Sequence, residues 1–341
     1  MRLGYQTRPA NIPECFMPST RRSLRSSLLL RALVGLAVLV TGTAAGAWLL
    51  HTSLDGDGES PTAGIITGAI AKNPLAGVRS WSPSEETPGA QTADLLAIDV
   101  ATLVRRTGLS PQAIETLQRR ADGRDRVLLA RIRVATADLG LLEWLPSGFS
   151  GRGASWLGDP APGKPGFRHV RYWQSEWQDL LSGSSGALVD RLAVAGIDGL
   201  YIADGGAYMG ARKDRPSAEK DLVDLVARLA ARGKAINPDF VVVLANGEEL
   251  IMHPALGPAV DAIAKEDLLY GAEEPGRANS RAAVVASLQF LKRARREGRP
   301  VLVSETLEAP QDIAEATREL AAQGFVGSIA PLVARARPPI D

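Results

Sequence analysis

Acidic and amide side chains follow short apolar runs at five places in this chain of 341 residues. Asp99, Asp204, Asn246, Glu266 and Glu305 each stand at the end of such a run, as in GLYIAD and VLVSE. Carboxylates grouped at one site raise one another's proton affinity, so one group is kept as an acid while another stays ionised. Cleavage of a glycosidic bond requires such a pair. A single carboxylate at such a point is more commonly a helix cap or a salt-bridge partner, so the chemistry depends on whether these groups meet.

Aromatic residues make up 5% of the chain, yet they are concentrated within residues 144–177. Among them are Trp144, Trp156, Phe167, Tyr172, Trp173 and Trp177. Aromatic rings stack on the apolar faces of sugars, and we predict this role for Tyr172 and Trp173. The alternative is that Trp173 and Trp177, which are four residues apart, pack into the wall of the fold. We prefer this alternative for Trp177.

The elements that must position these side chains follow a repeating pattern, in which a short apolar run precedes a longer amphipathic stretch. The pattern predicts eight strands, at 77–81, 95–100, 127–134, 199–204, 241–246, 261–266, 300–305 and 326–331. It predicts helices near 110–122, 176–194, 217–236, 281–298 and 309–323. Gly233 and Gly324 stand where two of these helices are expected to end.

Strands that alternate with helices favour a parallel sheet, and a count of eight favours a closed (β/α)8 barrel of the TIM type. In such a barrel the carboxyl ends of the strands meet over one mouth, which would bring the polar residues together. An open, doubly wound sheet is the alternative. It would be supported by a GxGxxG or GxxxxGKS/T phosphate loop, and the chain contains neither motif.

An uncharged stretch precedes this pattern. Residues 32–50 carry no charge, and four arginines lie just before them. An apolar helix of about 20 residues spans a bilayer, and the arginines place the segment before it in the cytoplasm. We therefore predict a cytoplasmic segment 1–30, a transmembrane signal anchor 31–50, a flexible linker 51–74, a barrel 75–335 outside the inner (plasma) membrane and a tail 336–341. The alternative is a signal peptide cleaved near 45–47, which would release the barrel as a secreted protein.

Composition argues against several classes of function. Beyond residue 50 there are 33 basic against 37 acidic residues, a mildly negative balance that is unfavourable for binding nucleic acid. Cys15 has no second cysteine with which to form a disulfide or a zinc site. His51, His169 and His253 lack the close spacing of metal ligands. We expect no metal and no cofactor.

Five blocks of sequence share motifs with a known family. They are SWLGDPAPGKPGFRHVRYWQSEWQDLL (155–181), RLAVAGIDGLYIADGGAY (191–208), VVVLANGEELI (241–251), VDAIAKEDLLYG (260–271) and RPVLVSETL (299–307). These blocks resemble glycoside hydrolase family 114, whose barrel enzymes are described as endo-α-1,4-polygalactosaminidases and were once grouped with cysteinyl-tRNA-synthetase-related proteins. The order of the blocks matches that family over residues 77–331, and GIDGLY, NGEEL and KEDLLYG are the specific motifs.

The resemblance implies a catalytic pair formed by an aspartate that ends the fourth strand and a glutamate that ends the sixth. The glutamate matches Glu266. Laid without gaps, the aspartate falls on Ala203, so Asp204 comes one residue late, and such a shift turns a side chain to the other face of a strand. We predict Asp204 and Glu266 as the catalytic pair. The residues predicted to bind the sugar are Tyr172, Trp173, Tyr201, Asn246 and Glu305.

Other departures from the family motifs leave three hypotheses open. Gln174 replaces the aspartate of the YWD motif, Ala245 replaces a glutamine, and Gly206 replaces the second aspartate of DxVD. The leading hypothesis is a membrane-anchored hydrolase of an amino-sugar polysaccharide of the α-1,4-galactosaminoglycan class. The second is a degenerate barrel that binds a polysaccharide, or assists its export, without cutting it. The third is an envelope scaffold that presents a protein-binding surface.

Overall fold

The computed structural model describes residues 73–144 and 154–332 of the chain. The strands are β1 (Trp81–Ser82), β2 (Leu95–Asp99), β3 (Val127–Ile132), β4 (Thr136–Asp138), β5 (Leu157–Pro160), β6 (Phe167–Val170), β7 (Gly199–Ile202), β8 (Val241–Ala245), β9 (Ala262–Glu266), β10 (Val301–Leu307) and β11 (Val326–Pro331). The α-helices are α1 (Val100–Thr107), α2 (Pro111–Gln118), α3 (Leu139–Trp144), α4 (Ser175–Ser182), α5 (Leu188–Val194), α6 (Tyr208–Ala211), α7 (Ala218–Ile236), α8 (Arg281–Arg296) and α9 (Pro310–Gln323).

Eight of the strands form a parallel sheet in the order β1-β2-β3-β7-β8-β9-β10-β11. The sheet curves until its edges nearly meet, and the indole Nε1 of Trp81 on β1 donates to the carbonyl of Val326 on β11 at 2.9 Å. Helices connect successive strands, as parallel pairing requires. The predicted parallel α/β barrel of TIM type is confirmed, and each predicted strand overlaps an observed one.

Side chains alternate between the inside of the barrel and the layer of helices, because successive residues of a strand point to opposite faces. Leu95 and Ala97 of β2 pack in an inner cluster. Leu96 and Ile98 pack outside it, in the larger cluster that includes residues of the helices. The same alternation makes Leu129, Tyr201, Ala203, Val243, Ala262 and Ala264 inner residues. The position of any polar residue along its strand therefore decides whether it can reach the mouth.

A small antiparallel sheet of β4, β6 and β5 follows β3 and was not predicted. Strand β4 pairs with β6 over 136–138 and 167–169, and β5 pairs with the other side of β6. The strands have three or four residues each, too few for a sustained alternation of apolar and polar residues. This sheet holds part of the aromatic-rich segment at the side of the barrel mouth.

Some local predictions are wrong. The single helix predicted over 176–194 is two helices, α4 and α5, separated by a turn at Gly183–Ala187. Gly233 does not end α7 but lies inside it, where an added Cβ would collide with the ring of Phe240. Gly324 does cap α9, in the left-handed conformation that favours glycine. The short helix α1 was not predicted.

The predicted transmembrane anchor, the cytoplasmic segment, most of the linker and the tail lie outside the described residues. Within residues 73–144 and 154–332, none of the helices combines the length and the apolar character that a membrane crossing needs.

Close contact between β7 and β8 depends on Gly199, because a Cβ at this position would collide with the backbone carbonyl of Val241. We predict that Gly199→Ala lowers the free energy of unfolding by roughly 3 kcal/mol, the cost of overpacking a tight core. Gly77→Ala is the matched control, since an added Cβ there meets no atom within 4 Å. Denaturant unfolding of the two variants measures the difference, and equal stabilities would contradict the packing described.

Candidate active site

Glu266 ends β9 and its carboxylate is held by three donors from three other strands or strand ends. The guanidinium of Arg131 on β3 lies 2.8 Å from Oε1. The hydroxyl of Tyr201 on β7 donates to the same oxygen at 3.1 Å, and the Nδ2 of Asn246, just after β8, donates to Oε2 at 3.0 Å. Every one of these partners donates, so the carboxyl group is arranged as an acceptor. The structure thus brings together Glu266, Tyr201 and Asn246 of the predicted site.

The alternation of the strands explains why these groups meet. Ala262 and Ala264 face the barrel interior, so Glu266 does as well, and Arg131 follows Leu129 on the inner face of β3 in the same way. Asn246 adopts a left-handed backbone conformation with φ of 59°, which is uncommon outside glycine and best tolerated by Asn and Asp. Its Oδ1 accepts from the backbone N–H of Glu266 at 3.0 Å, so the amide contacts the glutamate at two points.

Arg131 and Tyr201 stabilise each other beneath the carboxylate. The guanidinium carbon of Arg131 lies 5.5 Å from the centre of the Tyr201 ring, within the range of a cation–π contact. Tyr201 is fully buried. Burial raises the pKa of its hydroxyl well above the usual range, and the negative charge of Glu266 adds to this effect. The hydroxyl therefore remains protonated and acts as a donor at physiological pH.

A second ion pair lies at the mouth, between Arg133 and Asp99 at 2.8 Å. Asp99 also caps α1, because its Oδ1 accepts from the backbone N–H of Ala101 at 3.1 Å. Arg131 and Arg133 were not predicted as site residues. The signal was present, since two arginines alternate with apolar residues at the end of a buried strand, where a cation is expected only with a partner.

Asp204 is bound differently from Glu266. Its Oδ1 accepts from the backbone N–H of Val134 and its Oδ2 from that of Ala135, both at 2.8 Å. The inner position on this strand end belongs to Ala203, which packs in the inner cluster. Asp204 therefore faces the end of β3 rather than the barrel axis. Burial raises the pKa of Asp204, and this effect exceeds the lowering by the two amides and by Arg133.

The two predicted catalytic carboxylates have separate sets of partners. Glu266 contacts Arg131, Tyr201 and Asn246, whereas Asp204 contacts the backbone after β3. Glu266 ends β9 and Asp204 follows β7, and only β8 lies between these two strands in the sheet. Asn246 connects the two neighbourhoods, because its Nδ2 also lies 3.5 Å from the carbonyl of Ala203.

A cavity of about 500 Å³ lies beside Asp204, between the end of β7 and the small antiparallel sheet. Three carboxylates line it, from Asp159, Asp204 and Asp214, together with the rings of Tyr172 and Trp173. Tyr172 is buried, with 1% of its surface exposed, and its hydroxyl donates to the carbonyl of Ala218 at 2.8 Å. The Trp173 ring contacts it edge-on at 5.1 Å between centroids. Trp177 packs in the core, as predicted.

Glu305 is 1% exposed and holds the backbone that follows Glu266. Its two oxygens accept from the backbone N–H groups of Leu269 at 2.8 Å and Tyr270 at 3.2 Å. Burial raises the pKa of Glu305 to about 7, against the lowering effect of these amides. The carboxylate thus binds the backbone of the loop that follows β9. This contact differs from the direct contact with the sugar that was predicted for Glu305.

Metal ligands do not cluster in the described parts of the chain. Within residues 73–144 and 154–332, no group of three or more His, Cys, Asp or Glu side chains is placed to hold a metal ion.

Comparisons with known proteins give distant relatives. The chain matches no protein family model. An uncharacterized protein of Deinococcus radiodurans is 30% identical over 208 residues, which are 61% of this chain and 65% of that protein. An uncharacterized protein of Thermotoga maritima is 25% identical over 192 residues, which are 54% of this chain and 57% of that protein. The chain thus spans less than two thirds of the length of these relatives.

A solved structure shows the same architecture. The glycoside hydrolase domain of PelA from Pseudomonas aeruginosa matches 74% of this chain and 93% of that domain, with a TM-score of 0.55 and 18% identity. The barrel has the fold of a glycoside hydrolase domain. At this identity the likeness shows the fold alone.

The buried carboxyl of Glu305 predicts a pH-dependent loss of stability. Its pKa is raised on folding, so its contribution is complete below the ordinary value of 4.5 and is lost as pH rises through about 7. We expect the wild type to lose roughly 3 kcal/mol of unfolding free energy across this window relative to Glu305→Gln. Denaturant unfolding over the pH range measures the difference. The exposed Glu308→Gln is the control, and a Glu305→Gln variant that keeps the wild-type pH profile would contradict the assignment.

Proposed function

We propose that this chain is a hydrolase of an amino-sugar polysaccharide, of the α-1,4-galactosaminoglycan class implied by the sequence resemblance. The observation that carries the proposal is the arrangement of Glu266, whose carboxylate lies at the barrel mouth and is fixed by Arg131, Tyr201 and Asn246. In parallel barrels the chemistry takes place at this end of the strands. The shared fold with the PelA glycoside hydrolase domain supports the reaction class.

The two carboxylates suit different steps of glycosidic cleavage. Both oxygens of Glu266 accept from donors, so this group would attack the anomeric carbon or accept a proton from water. Asp204 has a raised pKa and lines the cavity, so it would protonate the leaving glycosidic oxygen. Environments that differ in this way separate the acid from the base. If Glu266 attacks, water would then cleave the ester bond between the sugar and Glu266 while Asp204 takes the proton of that water. If Glu266 activates water instead, it would accept the proton of the water while Asp204 gives its own proton to the leaving oxygen. Neither route needs a metal or an organic cofactor.

The lining of the cavity supports a cationic sugar as substrate. Asp159 and Asp214 present two exposed carboxylates to the cavity, and their charge is complementary to the ammonium groups of a deacetylated amino sugar. Trp173 supplies apolar surface for a sugar ring, whereas the ring of Tyr172 lies buried beside it. The polysaccharide would pass from this cavity across Asp204 towards Glu266.

A second candidate function is recognition of the polysaccharide without cleavage. Two observations favour it. Ala203 occupies the inner position that the family resemblance assigns to an aspartate, and both oxygens of Asp204 are already bound by backbone amides. Such a barrel would keep the acidic cavity and the Glu266 site as contacts for a sugar.

The proposed location follows from the sequence. We propose that residues 31–50 anchor the chain in the inner membrane and that the barrel lies on the extracytoplasmic side, where it would meet an exported polysaccharide. Extraction with alkaline carbonate separates an anchored chain, which stays with the membrane, from one released by cleavage.

Hydrolysis by Glu266 predicts a specific loss of activity. Glu266→Gln removes the negative charge but keeps the shape, so we expect release of new reducing ends from partially deacetylated galactosaminoglycan to fall by at least about 10³-fold. The exposed Glu273→Gln, on the loop after β9, is the control and should retain wild-type activity. Retained activity in a folded Glu266→Gln would overturn the assignment. A wild type that binds the polymer but releases nothing would establish the second candidate.

The acidic cavity predicts a charge-dependent affinity. We expect Asp159→Asn combined with Asp214→Asn to weaken binding of the partially deacetylated polymer by about 10-fold, because two exposed carboxylates are lost. The fully acetylated polymer carries no ammonium groups and is the matched control, with binding unchanged in the variant. Titrations at low and high salt measure both. Equal losses for the two polymers would mean that the cavity does not recognise charge.

A further inference from the structure

Helix α8 has an unusual distribution of charge. It carries Arg281, Lys292, Arg293, Arg295 and Arg296, and no acidic residue occurs within its sixteen positions. The neighbouring helix α9 carries both signs, and so does α7, where Lys220 pairs with Asp224. The barrel beyond residue 50 has a mildly acidic sequence, so the concentration of cations on one helix is a local feature.

Helical spacing places the cations on the outer side of α8. Its fully buried residues are Leu291 and Ala294, which pack against the core. On the opposite side, Arg281, Val285, Lys292 and Arg296 share one stripe, since spacings of four, eleven and fifteen residues return to the same side of a helix. Val285 is 57% exposed. We refer to Arg281, Val285, Lys292 and Arg296 as the basic face.

The cations of the basic face are not neutralised within the described part of the barrel. Arg293, beside the stripe, pairs with Glu297 at 2.8 Å. Arg281, Lys292 and Arg296 form no ion pair with any residue of 73–144 or 154–332. The basic face thus combines three unpaired cations with one exposed apolar side chain. Such a surface is complementary to a partner that presents negative charges over an apolar layer.

The described chain begins beside the last turn of this helix. The side chain of Asn73 donates to the carbonyl of Asp261 at 2.7 Å, and Arg299, three residues beyond α8, donates to the carbonyl of Val260 at 3.1 Å. Both contacts are made with the segment directly before β9, at the end of the barrel opposite the mouth. Residue 73, the first described residue, thus lies at the end of the barrel where α8 finishes.

We propose that the basic face of α8 docks on a bilayer surface that contains anionic lipids. Each Lys or Arg near such a surface contributes about 1 kcal/mol of attraction, and an exposed apolar side chain adds by entering the interface. The docking shares the expected envelope location with the proposed function but does not depend on carbohydrate chemistry. It would hold the barrel in one orientation on the membrane, with the mouth free.

The experiment uses the full chain mixed with vesicles of phosphatidylcholine alone or with added phosphatidylglycerol. A fluorophore is attached through Gln289→Cys, on the outer side of α8, in a Cys15→Ser background, and its quenching by headgroup spin-labelled lipid is measured. The matched control carries the label through Glu115→Cys, on the exposed side of α2. The test variant combines Arg281→Gln, Lys292→Gln and Arg296→Gln. A variant with Arg105→Gln, Lys164→Gln and Lys213→Gln loses the same charge elsewhere.

We expect quenching of the label at position 289 but not of the label at position 115. This quenching should require phosphatidylglycerol and should disappear at high salt. The triple variant of the basic face should weaken the contact by on the order of 100-fold, and the control triple should not. Quenching that is independent of phosphatidylglycerol or of the basic face would overturn the proposal. Protection of the label at position 289 without vesicles would also overturn it, because a second copy of the chain would then cover the face. Carbonate extraction reports anchoring separately, so failure of the anchor is not mistaken for failure of the docking.

Discussion

The ion pair between Glu266 and Arg131 joins β9 to β3 inside the barrel, and it depends on the alternation of side chains along parallel strands. Glu266 faces the interior because Ala262 and Ala264 do, and Arg131 does so because Leu129 does. A slip of one residue in either strand would turn the charged group towards the helices and leave the other group, which is largely buried, without its ion-pair partner. The pair therefore links the register of the sheet to the assembly of the mouth.

The same alternation explains why Asp204 differs from Glu266. The inner position after β7 is Ala203, so the next side chain turns to the end of β3 and binds the amides of Val134 and Ala135. This contact fixes the start of the segment that leads into the antiparallel sheet and the acidic cavity. In the proposed hydrolase, Asp204 would have to act as an acid while both its oxygens accept from backbone amides, a harder task than that of a carboxyl group exposed to substrate. The two candidate functions differ in whether this is achieved.

The sequence was informative where one signal is repeated. Eight apolar runs predicted the barrel, and the residues that end them predicted the location of Glu266, Asn246 and Asp204. Contacts between side chains were not predictable in the same way, because a burial pattern does not say which strands lie opposite each other. Arg131 was missed as the partner of Glu266 for this reason. Tyr172 was predicted to face the sugar, but its ring is buried and its hydroxyl donates to Ala218. These two residues are far apart in the sequence, so their contact could not be predicted from it. Gly233 was assigned as a helix cap because glycine is common there, whereas its actual constraint is the ring of Phe240.

A crystal structure of the chain with a bound amino-sugar oligosaccharide would show whether a glycosidic bond is held between Asp204 and Glu266. We expect the anomeric carbon to face the carboxylate of Glu266 while Arg131, Tyr201 and Asn246 keep their contacts. We also expect the glycosidic oxygen to lie within hydrogen-bond distance of Asp204, with the carboxyl groups about 5 to 9.5 Å apart. A sugar bound in the acidic cavity with its glycosidic bonds out of reach of Glu266, and Asp204 still held by both amides, would contradict it.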